Sequence, residues 1–422
     1  MFEKFVLLLV KLRQNVFLRV TQRTLAVLFP LILIGNLAQV LASFLSVNGF
    51  IGSIFYVDDW LPHYAGVRLV FENISKMTLG LVAVLATYQV ARYTAKFYQR
   101  DGQMAGLGGL VSFLLLIYAA DKNMVLTINW RLLGFASLFL GLLIGFFSGY
   151  LFKILTKEVA DVSSMHSADI LARAFMALKP LSVSLLSCAL INHFLSTFIY
   201  RYLNQNNDFF QALSLLSHGL GLTLLVGILT NLCAFIGISG PYTPNLYYDS
   251  RLVAANLNAT FAKHSLPYQY NGNTLYQAYG VLGGAGCSLA LVIALLLFTQ
   301  NKNEHNIAKA TLFPVFFNSN AALLVGLPVL FNPLYLLGFV MIPVLNMVVA
   351  ALFLKWGWLS YSVYPVPTGT PGPLIAFIGS GADWRNLVFS LLLLVLDIWC
   401  YKPFVLLAQK VSHRLKQSER RE

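Results

Sequence analysis

The chain has 422 residues, 58% of them hydrophobic and only 11% charged, a make-up that excludes an ordinary soluble domain and fits a polytopic membrane protein. Its net charge of +13 does not indicate nucleic acid, because the basic residues fall in short runs between apolar segments, as positive-inside bias requires, and not in one patch interleaved with aromatics. The four cysteines, Cys188, Cys233, Cys287 and Cys400, stand singly in apolar stretches, so neither a disulfide framework nor a metal site is expected, and no cofactor is implied.

Residues 1 to about 23 mix Phe2, Phe5, Val6, Leu9 and Val10 with Lys4, Lys11, Arg13, Arg19 and Arg23, a composition suited to a helix lying along an anionic inner leaflet or extending the first span. No cleavage site follows, so the first span is expected to be retained. Apolar spans are predicted at 25–45, 77–95, 105–120, 132–155, 177–200, 212–236, 279–299, 334–354 and 386–408. Asp58, Asp59 and Glu72, with Tyr56 and Trp60 as interface anchors, place the first connection outside. Arg92, Lys96 and Arg100, then Lys153 and Lys157, Lys302 and Lys309, and finally Lys410, Arg414 and Lys416 mark inner connections, so both termini are expected in the cytoplasm. The segment 157–175 is too polar to span and reads as an amphipathic connector. Plain spans suit a scaffold, whereas spans interrupted by Gly, Pro and Asn suit a binding site. On that ground residues 1–200 are expected to form a membrane scaffold and dimerisation region, and 201–422 a substrate-binding region with re-entrant hairpins.

Four stretches of the second half combine polar side chains with backbone breakers. In Leu229–Asp249, glycines and prolines end a span and bring Ser239, Tyr242, Thr243 and Asn245 inward. Gly283, Gly284 and Gly286 in Gly283–Leu291 are expected to serve close helix packing. Phe317–Pro333 carries Asn318, Ser319, Asn320 and Asn332 among apolar residues, interrupted by Gly326, Pro328 and Pro333. It reads as a re-entrant hairpin at a binding site, or as a helix kinked at Pro328. The fourth stretch runs from Val366 through Leu374 to Gly379–Trp384. Uncharged amides and hydroxyls beside Tyr242, Phe317 and Trp384 suit a neutral polyol such as a sugar, though some peptides and lipids fit as well. Asp397 with Lys402 is expected to be a helix-end or interface pair, and His193 and His218 packed residues. The chain has no P-loop, nucleophile elbow or dinucleotide turn.

With FPLILIGN (Phe29–Asn36), GGAGCSLAL, FNSNAALLVGLPVLFNP, VPTGTPGP, GSGADWR and YKPF (Tyr401–Phe404) in that order, the chain resembles the membrane-embedded enzyme IIC of the bacterial sugar phosphotransferase system, lactose/cellobiose/diacetylchitobiose branch. The resemblance implies an all-α elevator fold of about ten transmembrane helices with two re-entrant hairpins, a homodimer in the bacterial cytoplasmic membrane, and a disaccharide ligand. It also implies IIA and IIB phosphocarrier partners, with no IIB domain expected in this chain. With the amides and aromatics read from the residues themselves, the substrate site is expected to take in Ser239, Tyr242, Asn318, Asn320, Ala321, Asn332 and Trp384. Ala321 and Ala322 stand where the family has Glu and Pro, and Ser239 where it has His; in the family that Glu and that His hold the sugar and help activate its 6-hydroxyl. No catalytic residue is therefore assigned, and three readings stay open: a sugar permease, a non-transporting receptor on the same fold, or a transporter uncoupled from phosphorylation.

Overall fold

A computed structural model describes residues 14–120, 126–158, 167–204, 213, 219–242, 250–327 and 329–419. The expected amphipathic start lies partly, and Thr243, Asn245, Pro328 and His218 wholly, outside these residues. In chain order the helices are α1 Val16–Phe44, α2 Phe50–Phe55, α3 Val57–Trp60, α4 Tyr64–Leu79, α5 Val82–Phe97, α6 Gly102–Ile117, α7 Leu138–Leu155, α8 Ser167–Asn204 and α9 Leu220–Phe235. They continue as α10 Ser250–Phe261, a π-helix Gly272–Gly280, α11 Ser288–Phe298, α12 Lys302–Phe316, α13 Ala321–Gly326, α14 Pro333–Lys355, α15 Ile375–Gly379 and α16 Trp384–Glu419. A two-stranded antiparallel ribbon pairs Tyr118–Ala120 with Leu126–Ile128. Six helical stretches among the described residues are long and apolar enough to cross a bilayer, and four shorter apolar helices accompany them. The architecture is that of an all-α polytopic membrane protein.

Three results depart from the predicted spans. Ahead of the expected 77–95 span, α4 starts at Tyr64, takes in Glu72 and is separated from α5 by a turn at Gly80 and Leu81. The segment 279–299 is not one helix: it breaks at 281–287, between the π-helix and α11. Helix α10 was not predicted at all, being short and, with Arg251, Asn256 and Asn258, too polar for a span. Residues 159–166 of the expected connector lie outside the described residues, and from Ser167 the chain runs helically into its span.

Two compact units form, one from Phe29–Met77 and Asn207–Glu422, the other from Leu12–Leu28 and Thr78–Asn206. In the second, α5 and α7 meet along small residues. A Cβ at Gly141, Gly145 or Gly149 would stand 2.8, 2.5 or 2.7 Å from the carbonyl oxygens of Ala83, Thr87 and Ala91, so the four-residue glycine spacing sets how closely the two backbones approach. Asp101 starts α6, one carboxylate oxygen accepting from the N–H groups of Gln103 and Met104 (2.9 and 3.2 Å), the other from Arg173 Nε and Nη2 of α8 (2.9 and 2.6 Å).

The other unit holds the interrupted stretches. Pro333 opens α14 at a position that needs no N–H donor, and Asn332 caps the helix by accepting from the Leu334 N–H (3.3 Å). Residues of the first helix join this unit: fully buried Asn36 donates to the Ser319 carbonyl (3.1 Å). The loop after α1 pairs with the fourth stretch, the Phe50 N–H donating to Thr368 O (2.9 Å) and the Thr368 N–H to Asn48 O (3.1 Å).

Candidate functional site

The loop 281–287 is the hub of the site. Gly283, Gly284 and Gly286 have φ of 81°, 104° and 71°, left-handed values that side-chain-bearing residues rarely adopt. They are not mere packing residues, as their small size alone suggests; their conformation turns polar backbone groups outward to the neighbouring stretches. The Gly283 N–H donates to Asn318 Oδ1 (2.8 Å), and Asn318 Nδ2 donates to the Thr370 carbonyl (2.7 Å). One amide thereby ties three of the four interrupted segments together. Asn320 Nδ2 donates to Ala285 O (3.0 Å) and Ser288 Oγ (2.7 Å), and a Cβ on Gly284 would stand 2.5 Å from the Asn320 amide carbon.

The far side of the loop binds the end of α9. Asn231 Oδ1 accepts from the Gly286 N–H (3.3 Å) and from Tyr276 Oη (3.1 Å), while the Tyr401 hydroxyl donates to the Gly286 carbonyl. Tyr242, 2% exposed, lies with its ring 5.1 Å from that of Tyr276, and its N–H donates to Thr230 Oγ1 (3.1 Å). The segments of Tyr242, Asn318 and Asn320 thus converge on one loop.

The other expected residues are placed differently. Ser239 is half-buried, and its hydroxyl makes no hydrogen bond among the described residues. Ala321 is half-buried at the start of α13. Asn332 is fully buried, and its Nδ2 has no partner among the described residues. Trp384 is 67% exposed at the start of α16. Beside it, hydrogen bonds from Arg385 hold the Asp383 carboxyl down to about 2 against its partial burial, and the Ser360 hydroxyl adds to this (2.7 Å). Asp397 is not at a helix end: it is fully buried within α16, accepting from Asn346 Nδ2 (2.8 Å), while Lys402 lies over the Phe298 and Trp399 rings.

Sequence reasoning missed Asn36, Gln39, Asn231, Thr370 and Tyr401 as members of this network. A lone amide in an apolar span, Asn36 in FPLILIGN or Asn231 in LTNLCAF, was the available signal, because a buried amide requires a partner. Gln39 meets the Ser319 hydroxyl at 2.8 Å. The assembly is a neutral network in which the Asn318, Asn320, Asn231 and Gln39 amides bond to backbone and hydroxyl groups around a loop held in left-handed turns.

Interrupted segments that meet at a polar hub are a pattern found in membrane solute carriers. Residues 22–343 match the model of the family "Phosphotransferase system, EIIC", and the chain belongs to that family. It is 27% identical over 391 residues to the oligo-beta-mannoside-specific EIIC component of Bacillus subtilis, covering 88% of this chain and 85% of that one. With the lactose-specific EIICB component of Staphylococcus epidermidis it shares 24% identity over 426 residues, covering 94% of this chain and 68% of the relative. Among solved structures it is similar to the transporter ChbC, the IIC component of an N,N'-diacetylchitobiose-specific phosphotransferase system, with a TM-score of 0.43, 22% identity, and coverage of 97% and 96%.

Proposed function

We propose that this chain is a membrane permease that binds and translocates a neutral disaccharide or oligosaccharide, with coupling to phosphorylation weakened or lost. The observation that carries the reading is the junction at 281–287, where Asn318 and Asn320 join interrupted segments without any charged group. The named relatives act on β-mannosides and lactose, which supports a sugar of that size. In this reading both termini are cytoplasmic, the chain works as a homodimer, and IIA and IIB proteins are its partners if coupling survives. Residues 1–200 serve as scaffold, apart from Phe29–Met77, which pack with the second half, and 201–422 carry the sugar, bound near Ser239, Tyr242, Asn318, Asn320, Ala321, Asn332 and Trp384.

Ala321 and Ser239 argue for weak coupling. A charged hydrogen bond contributes about 1.5–3 kcal/mol, so losing a carboxylate and an imidazole contact weakens binding by roughly 3–6 kcal/mol, about two to four decades. Loss of the base removes a further factor of about 10²–10⁴ in the phosphoryl step. The second reading is a receptor that binds sugar without carrying it. It is favoured by the engagement of the Asn318 and Asn320 amides within the protein itself.

The test is uptake of radiolabelled cellobiose, lactose and N,N'-diacetylchitobiose in cells supplied with IIA and IIB, for the native chain and for Ser239→His/Ala321→Glu. Gain of phosphorylating uptake in the double variant alone supports the reading. Robust phosphorylating uptake by the native chain refutes weakened coupling, and binding without uptake in either form favours the receptor.

A further inference from the structure

The fold buries an acid inside a membrane span. Asp397 is 0% exposed and lies within the apolar stretch Trp384–Ser412 of α16. A carboxylate so placed calls for a cation, yet none of the ion pairs among the described residues includes it. Lys402, the nearest base in sequence, directs its ammonium to the rings of Phe298 and Trp399, 5.1 and 4.9 Å from their centres.

The elements packed most closely on α16 bring no positive charge to it. Helices α11 and α15 and residues 372–374 carry no ionisable side chain, and α14 carries Tyr335 and Lys355, the latter exposed in its last turn. The ionisable groups that face Asp397 are Cys287, Cys400 and Tyr401, none of which is cationic in any form.

Its polar partner is Asn346 of α14, also fully buried. Asn346 Nδ2 donates to Asp397 Oδ2 (2.8 Å), with Tyr279 O (3.3 Å) and Cys287 Sγ (3.4 Å) also in reach, so the acceptors around it fix which end of the amide faces the carboxyl. Two buried atoms are then left unsatisfied, Asp397 Oδ1 and Asn346 Oδ1. Both are acceptors, and neither serves the other while the carboxyl is ionised. A proton on Asp397 Oδ1 turns one of them into a donor, and it is the cation that needs no cavity. The acid also backs on the hub: Cys287 follows Gly286, whose carbonyl accepts from Tyr401, one helical turn beyond Asp397 on α16.

We propose that Asp397 is a proton-binding site through which this carrier couples to a proton gradient. One proton enters from the outer aqueous side, rides on Oδ1 with the Asn346 amide oxygen as its acceptor, and leaves to the inner side when the 281–287 loop changes its packing during translocation. The proposal rests on the sugar-permease reading: a permease weakened in phosphorylation coupling lacks a driving force, and a proton gradient supplies one. The acid is placed to sense the loop because Cys287 and Tyr401 connect the two.

The test uses the purified full-length chain in proteoliposomes, without IIA or IIB, offered radiolabelled cellobiose, lactose and N,N'-diacetylchitobiose with the outside at equal pH or one unit more acid. For one proton per sugar, the acid-outside gradient should raise the internal-to-external ratio of at least one sugar by up to about ten-fold, and Asp397→Asn should lose that response. The infrared band of a protonated carboxyl should be present in the native chain, vanish in Asp397→Asn, and move to higher frequency in Asn346→Leu, which keeps the acid and removes its partner. Uptake that ignores the gradient, or an equal response in Asp397→Asn, overturns the coupling while leaving the permease reading intact. Absence of the band from the native chain overturns the proton site. Absence of uptake of all three sugars in either condition overturns the coupling and the permease reading together.

Discussion

Substituting Asn318→Ala removes the amide that joins the 281–287 loop to residue 370, and its cost can be worked from the contacts. Two hydrogen bonds, at 2.8 and 2.7 Å, go to backbone groups in a part-buried setting; each lost bond leaves one such group short of a partner, at about 1–2 kcal/mol apiece. The residue sits at φ 62°, where Asn is tolerated and Ala is not, adding about 1 kcal/mol. Destabilisation of about 3–5 kcal/mol is expected for Ala. Asn318→Gly loses the same bonds without the backbone strain and should be about 1 kcal/mol milder. Asn318→Asp keeps the acceptor for the Gly283 N–H but sets a carboxylate oxygen against the Thr370 carbonyl in a part-buried site, and should cost at least as much as Ala. Reversible unfolding in mixed micelles, followed by tryptophan fluorescence, gives the three values. An Ala variant within about 0.5 kcal/mol of native, or a Gly variant less stable than Ala, refutes the reasoning.

Gly286→Ala drives a Cβ to within 2.2 Å of the Phe339 ring at a φ of 71°, and should cost about 2–4 kcal/mol in the same assay, with Phe339→Leu restoring part of the loss. The Asp383 carboxyl, held at about 2, contributes stability that is fully present above its unfolded value of about 3.9 and is lost as pH falls toward 2. Asp383→Asn should flatten the unfolding midpoint across that window, and an unchanged pH profile would remove the Arg385 and Ser360 contacts from the account. For topology, cysteine introduced at Asp58 should be labelled from outside and at Lys302 or Arg414 only from inside; external labelling at 414 overturns the expected arrangement.

The parts of the fold visible in the sequence were those written in apolar length, and the parts hidden were those written in pairing. Long spans such as α1, α14 and α16 announce themselves by hydropathy, whereas α10, 12 residues long and carrying Arg251, does not. The spacing of Gly141, Gly145 and Gly149 was present in the sequence, but its meaning depended on the carbonyls of another helix. At the site, Asn318 and Asn320 stood out as amides at a break in an apolar segment. Their partners Gly283 and Thr370 could not be read from spacing, because loop geometry and not periodicity brings them together. The expectation for Asp397 failed for a related reason: sequence showed a nearby lysine, while the fold turned Lys402 to aromatic rings and gave the carboxylate to Asn346.

The hydrogen bonds of the Asn-Ser-Asn turn have a bearing on how such a carrier can change its trade. Asn318 and Asn320 grip the neighbouring loops, and the Ser319 carbonyl is held by Asn36, so the tertiary contacts of the turn are made before residue 321 is reached. Position 321 is therefore a socket whose fitting can be exchanged without disturbing the mounting. An exchange of the side chain there leaves the hydrogen bonds of Asn318, Ser319 and Asn320 in place, so such a change would be read in ligand binding before it is read in folding.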